Sequence, residues 1–125
     1  MGVKPAQNVA AGGNLLYAVS VKSIKEKINI DEIIDIIVNQ YGPVEKIFLF
    51  GSQARGDADE YSDLDLIVIK ITDMPFVKRL ISVPSLPVRA DVFVYTPEEF
   101  ERMKENENPF IMSALESAKV IYKRK

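Results

Sequence analysis

The chain has no cysteine and no histidine. Without cysteine there can be no disulfide and no thiolate metal site. Without histidine there is no imidazole base and no histidine-ligated zinc. Any general base must then be a carboxylate, a lysine or a water. No apolar run reaches the ~18 residues of a membrane span. No signal peptide precedes the folded part, so the cytoplasm is the expected location. Excess charge is also scarce: 16 basic residues stand against 18 acidic ones, a net charge of −2. A nonspecific nucleic-acid binder would be basic, so nucleic acid is not the expected main substrate.

What is present is ordinary globular material: 125 residues, 47% hydrophobic and 27% charged. That is enough for one domain with one core. Residues 1–22 read as a leader, flexible or docked at an edge, in which Leu15 to Val21 (LLYAVSV) is a short apolar run. Residues 23–125 read as the single domain.

Several elements are announced locally. Ile30, Ile33, Ile34, Ile37, Val38 and Tyr41 recur at helical spacing behind an Asn29 cap, and Gly42-Pro43 stops the helix. Lys46–Phe50, Leu66–Ile69 and Val88–Tyr95 are apolar, β-branched or aromatic runs of strand length. A short helix is expected from near Pro75, with Phe76, Leu80 and Ile81 inward and Lys78 and Arg79 on the wet face. Thr96-Pro97-Glu98-Glu99 is a capping box, and Asn108-Pro109 opens one more helix. Lys119 to Lys123 reads as a final edge strand. Three apolar runs between capped helices predict an α+β domain. Its small mixed sheet has 46–50, 64–70 and 88–95 as central strands and helices packed largely on one face.

The informative stretch is Phe48 to Ile69, FLFGSQARGDADEYSDLDLIVI. Gly51 ends a buried strand where close backbone approach is needed. Gln53 begins a helical turn that aims backbone N–H groups at the strand end, an anion site for which phosphate is the usual occupant. Ser52 lies in that turn, and Arg55 offers a fork of donors to the same phosphates. Asp63 and Asp65 stand at the start of the next strand, two apart and so on one face. Carboxylates placed this way repel unless a cation lies between them, and all-oxygen ligands suit magnesium better than zinc. Asp91 is a third carboxylate, set among apolar strand residues. Taken singly, Gly51-Ser52 is a plain turn, Asp63 a cap, and Asp91 a carboxylate paired with Arg89 or Arg55. Asp57, Asp59 and Glu60 read as solvated loop charges.

Gly51-Ser52 followed at this spacing by Asp63-Leu64-Asp65, each at a strand end, resembles the signature of the DNA polymerase beta-type nucleotidyltransferase superfamily. The whole string GSQARGDADEYSDLDL resembles its minimal nucleotidyltransferase branch. The resemblance implies a nucleotidyltransferase fold and transfer of a nucleoside monophosphate, AMP from ATP, to a hydroxyl. It implies two Mg2+ ions, with Mn2+ as a substitute, held by Asp63, Asp65 and Asp91, which also serve as the catalytic residues. It implies that Gly51, Ser52 and Arg55 bind the nucleotide. Minimal members of the family occur with a helical HEPN protein as toxin–antitoxin pairs, so such a partner is expected here, with self-association a further option. Two alternatives stand beside this. One is a binding or antitoxin module acting by contact alone, which the three carboxylates argue against. The other is modification of a small molecule such as an aminoglycoside, which the lack of chain for a second domain argues against.

Overall fold

A computed structural model describes residues 28–56 and 63–125. The Leu15–Val21 run and the acidic loop from Asp57 lie outside the described residues. Helix α1 (Ile30–Tyr41) opens as its sequence predicts: the Asn29 side chain accepts from the Glu32 N–H at 3.1 Å. Ile33, Ile37 and Tyr41, four apart, form its buried stripe.

Among the described residues the sheet has four strands: β1 (Val44–Phe50), β2 (Leu64–Lys70), β3 (Ala90–Tyr95) and β4 (Lys119–Lys123), in the order β3-β2-β1-β4. β1 runs antiparallel to both β2 and β4, while β2 and β3 are parallel. The sheet is therefore mixed. β1 and β2 are central, as expected. Among the described residues β3 has only β2 beside it, which differs from the central place expected of it. Its apolar residues suggest a sheet interior, but only one of its sides pairs with a strand of the described residues.

Strand alternation sorts the core into two layers. Ile47, Leu49, Leu64, Leu66, Val68 and Val94 pack with Ile33, Ile37 and Tyr41 of α1. On the other face, Phe48, Phe50, Ile67, Ile69 and Tyr95 pack with Phe100, Ile111 and Ala114. These last belong to α4 (Pro97–Glu105) and α5 (Pro109–Leu115). The α+β mixed sheet stands as read, but helices cover both faces rather than largely one. The central strands are apolar on both sides and need both layers.

Capping fixes the second layer. Thr96 and Glu99 form the reciprocal capping box of α4, and Asn108 caps α5 by accepting from the Ile111 N–H at 3.1 Å. Helix α3 (Phe76–Ile81) is turned the opposite way from its sequence reading. Arg79 is buried, while Phe76, Leu80 and Ile81 are exposed. Arg79 donates to both Glu99 carboxylate oxygens at 2.6 and 2.9 Å, to the Met74 carbonyl at 2.7 Å and to the Val94 carbonyl at 3.2 Å. A guanidinium that satisfies four acceptors outcompetes the apolar residues for the inward position. A second buried cation, Lys70, donates to the Tyr41 and Gly42 carbonyls at 2.8 and 3.3 Å. It thereby satisfies carbonyl groups at the C-terminal end of α1.

Candidate active site

The β1–β2 pairing sets the geometry. Phe50, the last residue of β1, is the register partner of Asp65 on β2. The chain then turns at Gly51, with φ +76°, so close to β2 that a Cβ there would collide with Asp65 Oδ2. Only glycine meets both conditions. The Gly51 N–H donates to Ser117 Oγ at 3.2 Å, which ties this turn to the chain after α5. Helix α2 (Gly51–Arg55) follows and closes at Gly56, whose left-handed backbone (φ +80°) lets its N–H reach the Ser52 carbonyl. α2 is barely more than one turn, so its dipole is small. Binding of an anion here rests on Ser52 and Arg55 more than on the helix end. A cavity of about 410 Å3 flanks α2, lined by Ala54, Arg55, Ser113, Glu116 and Ser117.

β2 and β3 then bring two carboxylates side by side. Asp65 and Asp91 are register partners on neighbouring parallel strands, whose backbones lie about 4.8 Å apart. Asp65, Ile67 and Ile69 share one face of β2, and Asp91, Phe93 and Tyr95 share the matching face of β3. Beside this edge lies an aromatic cluster. The Phe93 and Phe110 rings are 4.8 Å apart, and Phe50 is 6.2 Å from Phe93 and 5.8 Å from Phe110. Asp91 itself is exposed. That exposure spares it the buried partner that a carboxylate in a sheet interior would demand.

The electrostatics are one-sided. Burial, then Asp91, then Asp63 push the Asp65 carboxyl above its ordinary value, and only Arg55 opposes them. Asp63 lies 3.5 Å from Arg89 in a pair whose side chains are 51% and 88% exposed. A pair so exposed is worth little and yields easily to a stronger cation. Arg89 thus sits with Asp63, not with Asp91. Among the described residues no three acidic side chains converge into a ready-made metal cluster. The donor set nevertheless fits a hard divalent cation: two adjacent carboxylates with a third nearby, all oxygen, and under-neutralised by protein charge.

All six residues singled out from the sequence fall at one end of the sheet. Gly51, Ser52 and Arg55 lie on α2, Asp63 and Asp65 at the start of β2, and Asp91 at the start of β3. Ser117 was not legible, because a lone serine in a turn carries no pattern and its role depends on a contact 66 residues away.

The sequence profile of the polymerase beta nucleotidyltransferase family matches residues 31–125. The chain belongs to that family. A relative from Methanocaldococcus jannaschii, provisionally named a protein adenylyltransferase, is 31% identical over 79% of this chain and all of its own length. MntA of Haemophilus influenzae, named a probable protein adenylyltransferase, is 33% identical over 57% of this chain and 68% of its own. Among solved structures, a provisionally named nucleotidyltransferase from Sulfolobus solfataricus superposes with a TM-score of 0.53 at 26% identity, covering 76% of this chain and 78% of that one. A toxin–antitoxin structure with AMP-PNP gives the same TM-score at 17% identity, covering 78% of this chain and 76% of that one. At that identity the likeness shows the nucleotidyltransferase fold. This family member is an enzyme of the nucleotidyltransferase class, and no helix among its described residues is long and apolar enough to cross a membrane.

Proposed function

We propose that this nucleotidyltransferase moves AMP from ATP to a hydroxyl of a partner protein. The observation that carries the reading is the side-by-side register of Asp65 and Asp91 at the Gly51 turn. The acceptor oxygen forms a bond to the α-phosphorus, the bond from that phosphorus to the bridging oxygen breaks, and pyrophosphate leaves. Asp63, Asp65 and Asp91 would hold Mg2+, or Mn2+ in its place. When bound, the metal neutralises triphosphate charge and eases deprotonation of the acceptor hydroxyl. Ser52 and Arg55 hold the β- and γ-phosphates, charge-assisted on the arginine side. Gly51 leaves room for Asp65 and brings the backbone close. Asp91, exposed on β3, would take the proton of the incoming hydroxyl. The cavity beside α2 is of ligand size.

Two observations support a protein acceptor. The two relatives described carry names as protein adenylyltransferases. Asp91 is also exposed, so among the described residues the carboxylate edge is open to a large acceptor. A solved neighbour is a toxin–antitoxin assembly, and a helical HEPN-type toxin is the partner proposed here. The test incubates the chain with ATP, Mg2+ and the protein encoded by the adjacent gene, and reads intact masses. An added AMP on a tyrosine of that protein is the expected result. Rapid labelling of an aminoglycoside with no protein acceptor would replace this reading with small-molecule transfer.

A further inference from the structure

Helix α3 and its approach expose an apolar face that nothing among the described residues covers. Ile71 is 57%, Val77 65% and Ile81 78% exposed, and Met74, Phe76 and Leu80 are each more than a third exposed. Val77, Leu80 and Ile81 fall at i, i+3 and i+4, so they share one face of the helix. Met74 Sδ lies 3.6 Å from Ser82 Oγ, which brings the approach segment against the end of the same helix. This orientation is enforced rather than loose. Arg79 anchors the opposite face of α3 to Glu99, Met74 and Val94, and the Arg79 carbonyl accepts from the Tyr41 hydroxyl at 2.7 Å. A helix pinned by its polar side with its apolar side in water is a surface made for contact.

We infer that this face pairs with the same face of a second copy of the chain. By side-chain size, the six residues leave on the order of 600 Å2 of apolar surface exposed, at the top of the ~300–600 Å2 range for the largest patch of a monomer. Two copies face to face would cover on the order of 1,200 Å2, where specific interfaces begin. The charges around the patch are self-complementary. Asp73 and Lys78 are both exposed, and neither has an ion-pair partner among the described residues. A two-fold contact sets Lys78 of each copy against Asp73 of the other, as an isologous interface requires. The patch lies at the Ile69–Tyr95 end of the β2–β3 pair, where Phe76 stacks on Tyr95 at 5.7 Å. Asp65 and Asp91 lie at the other end, about 13 Å away along the strands. The dimer therefore leaves the carboxylate edge open to nucleotide and acceptor, and the inference does not depend on which acceptor is used.

The test is sedimentation equilibrium of the full chain over a micromolar concentration series. The expected mass is that of a dimer, falling to a monomer on dilution. Val77→Glu combined with Ile81→Glu should give the monomer mass at every concentration, with circular dichroism unchanged. Asp73→Lys and Lys78→Asp, each alone, should yield monomers, because each places like charges across the two-fold. An equimolar mixture of these two variants should recover the dimer, because both cross-pairs are then opposite in sign. A monomeric wild type, or a mixture that fails to recover the dimer, overturns the inference. So does hydrogen-exchange protection of residues 71–81 that is unchanged on dilution, which would mean that the chain itself covers the patch.

Discussion

Gly51 and Asp65 share a space that holds one of them only as a glycine: a Cβ at position 51 would occupy the place of Asp65 Oδ2. The turn that carries Ser52 and the strand that carries Asp65 are thus locked at contact distance. Gly51→Ala should displace the Asp65 carboxylate and force a left-handed φ on a residue with a Cβ. A loss of about 2 kcal/mol in stability is expected, with nucleotidyl transfer reduced by about 10²-fold or more. Thermal melting and transfer assays on the same preparation check both.

Asp65→Asn should separate stability from activity. Burial, Asp91 and Asp63 hold the Asp65 carboxyl above its ordinary value of 3.8. A carboxylate raised in the folded state binds its proton more tightly there than in the unfolded chain. In metal-free protein its contribution to stability therefore falls as pH rises from 3.8 through the raised value. The variant should melt at or above the wild-type temperature at neutral pH in EDTA. Mg2+ should raise the wild-type melting temperature and leave that of the variant unchanged.

The Arg79–Glu99 pair should govern acid stability. Hydrogen bonds from Arg79 hold the Glu99 carboxyl below its ordinary value of 4.5. Its contribution is complete above that value and lost as pH falls through the lowered one. Glu99→Gln should cost about 2–3 kcal/mol at neutral pH and flatten the acid limb of the melting profile.

Ser117→Ala removes the acceptor for the Gly51 N–H. The loss of one neutral hydrogen bond is worth about 1 kcal/mol, a factor of about five. That factor should appear as a raised KM for ATP, and Ser117→Thr should retain most of the wild-type value.

These contrasts mark what a sequence discloses. Asn29, Thr96 and Asn108 could be read as caps because a cap acts within one turn of chain. Asp63 and Asp65 could be placed on one face because strand alternation is local. The neighbour of Asp91 could not be fixed from spacing alone, since parallel pairing joins residues far apart. The place of β3 beside β2 alone among the described residues, and the inward turn of Arg79, stayed hidden for the same reason. Phe76, Leu80 and Ile81 look like core until Glu99, twenty residues on, claims Arg79.

The most direct measurement follows label from α-labelled ATP in the presence of Mg2+ and the adjacent-gene protein. It compares the wild-type chain with Asp65→Asn and Asp91→Asn. Label on the partner protein with the wild type, and none with either variant of unchanged fold, is the predicted result. Labelling at the wild-type rate by either folded variant would contradict the assignment of the carboxylate edge as the site of transfer.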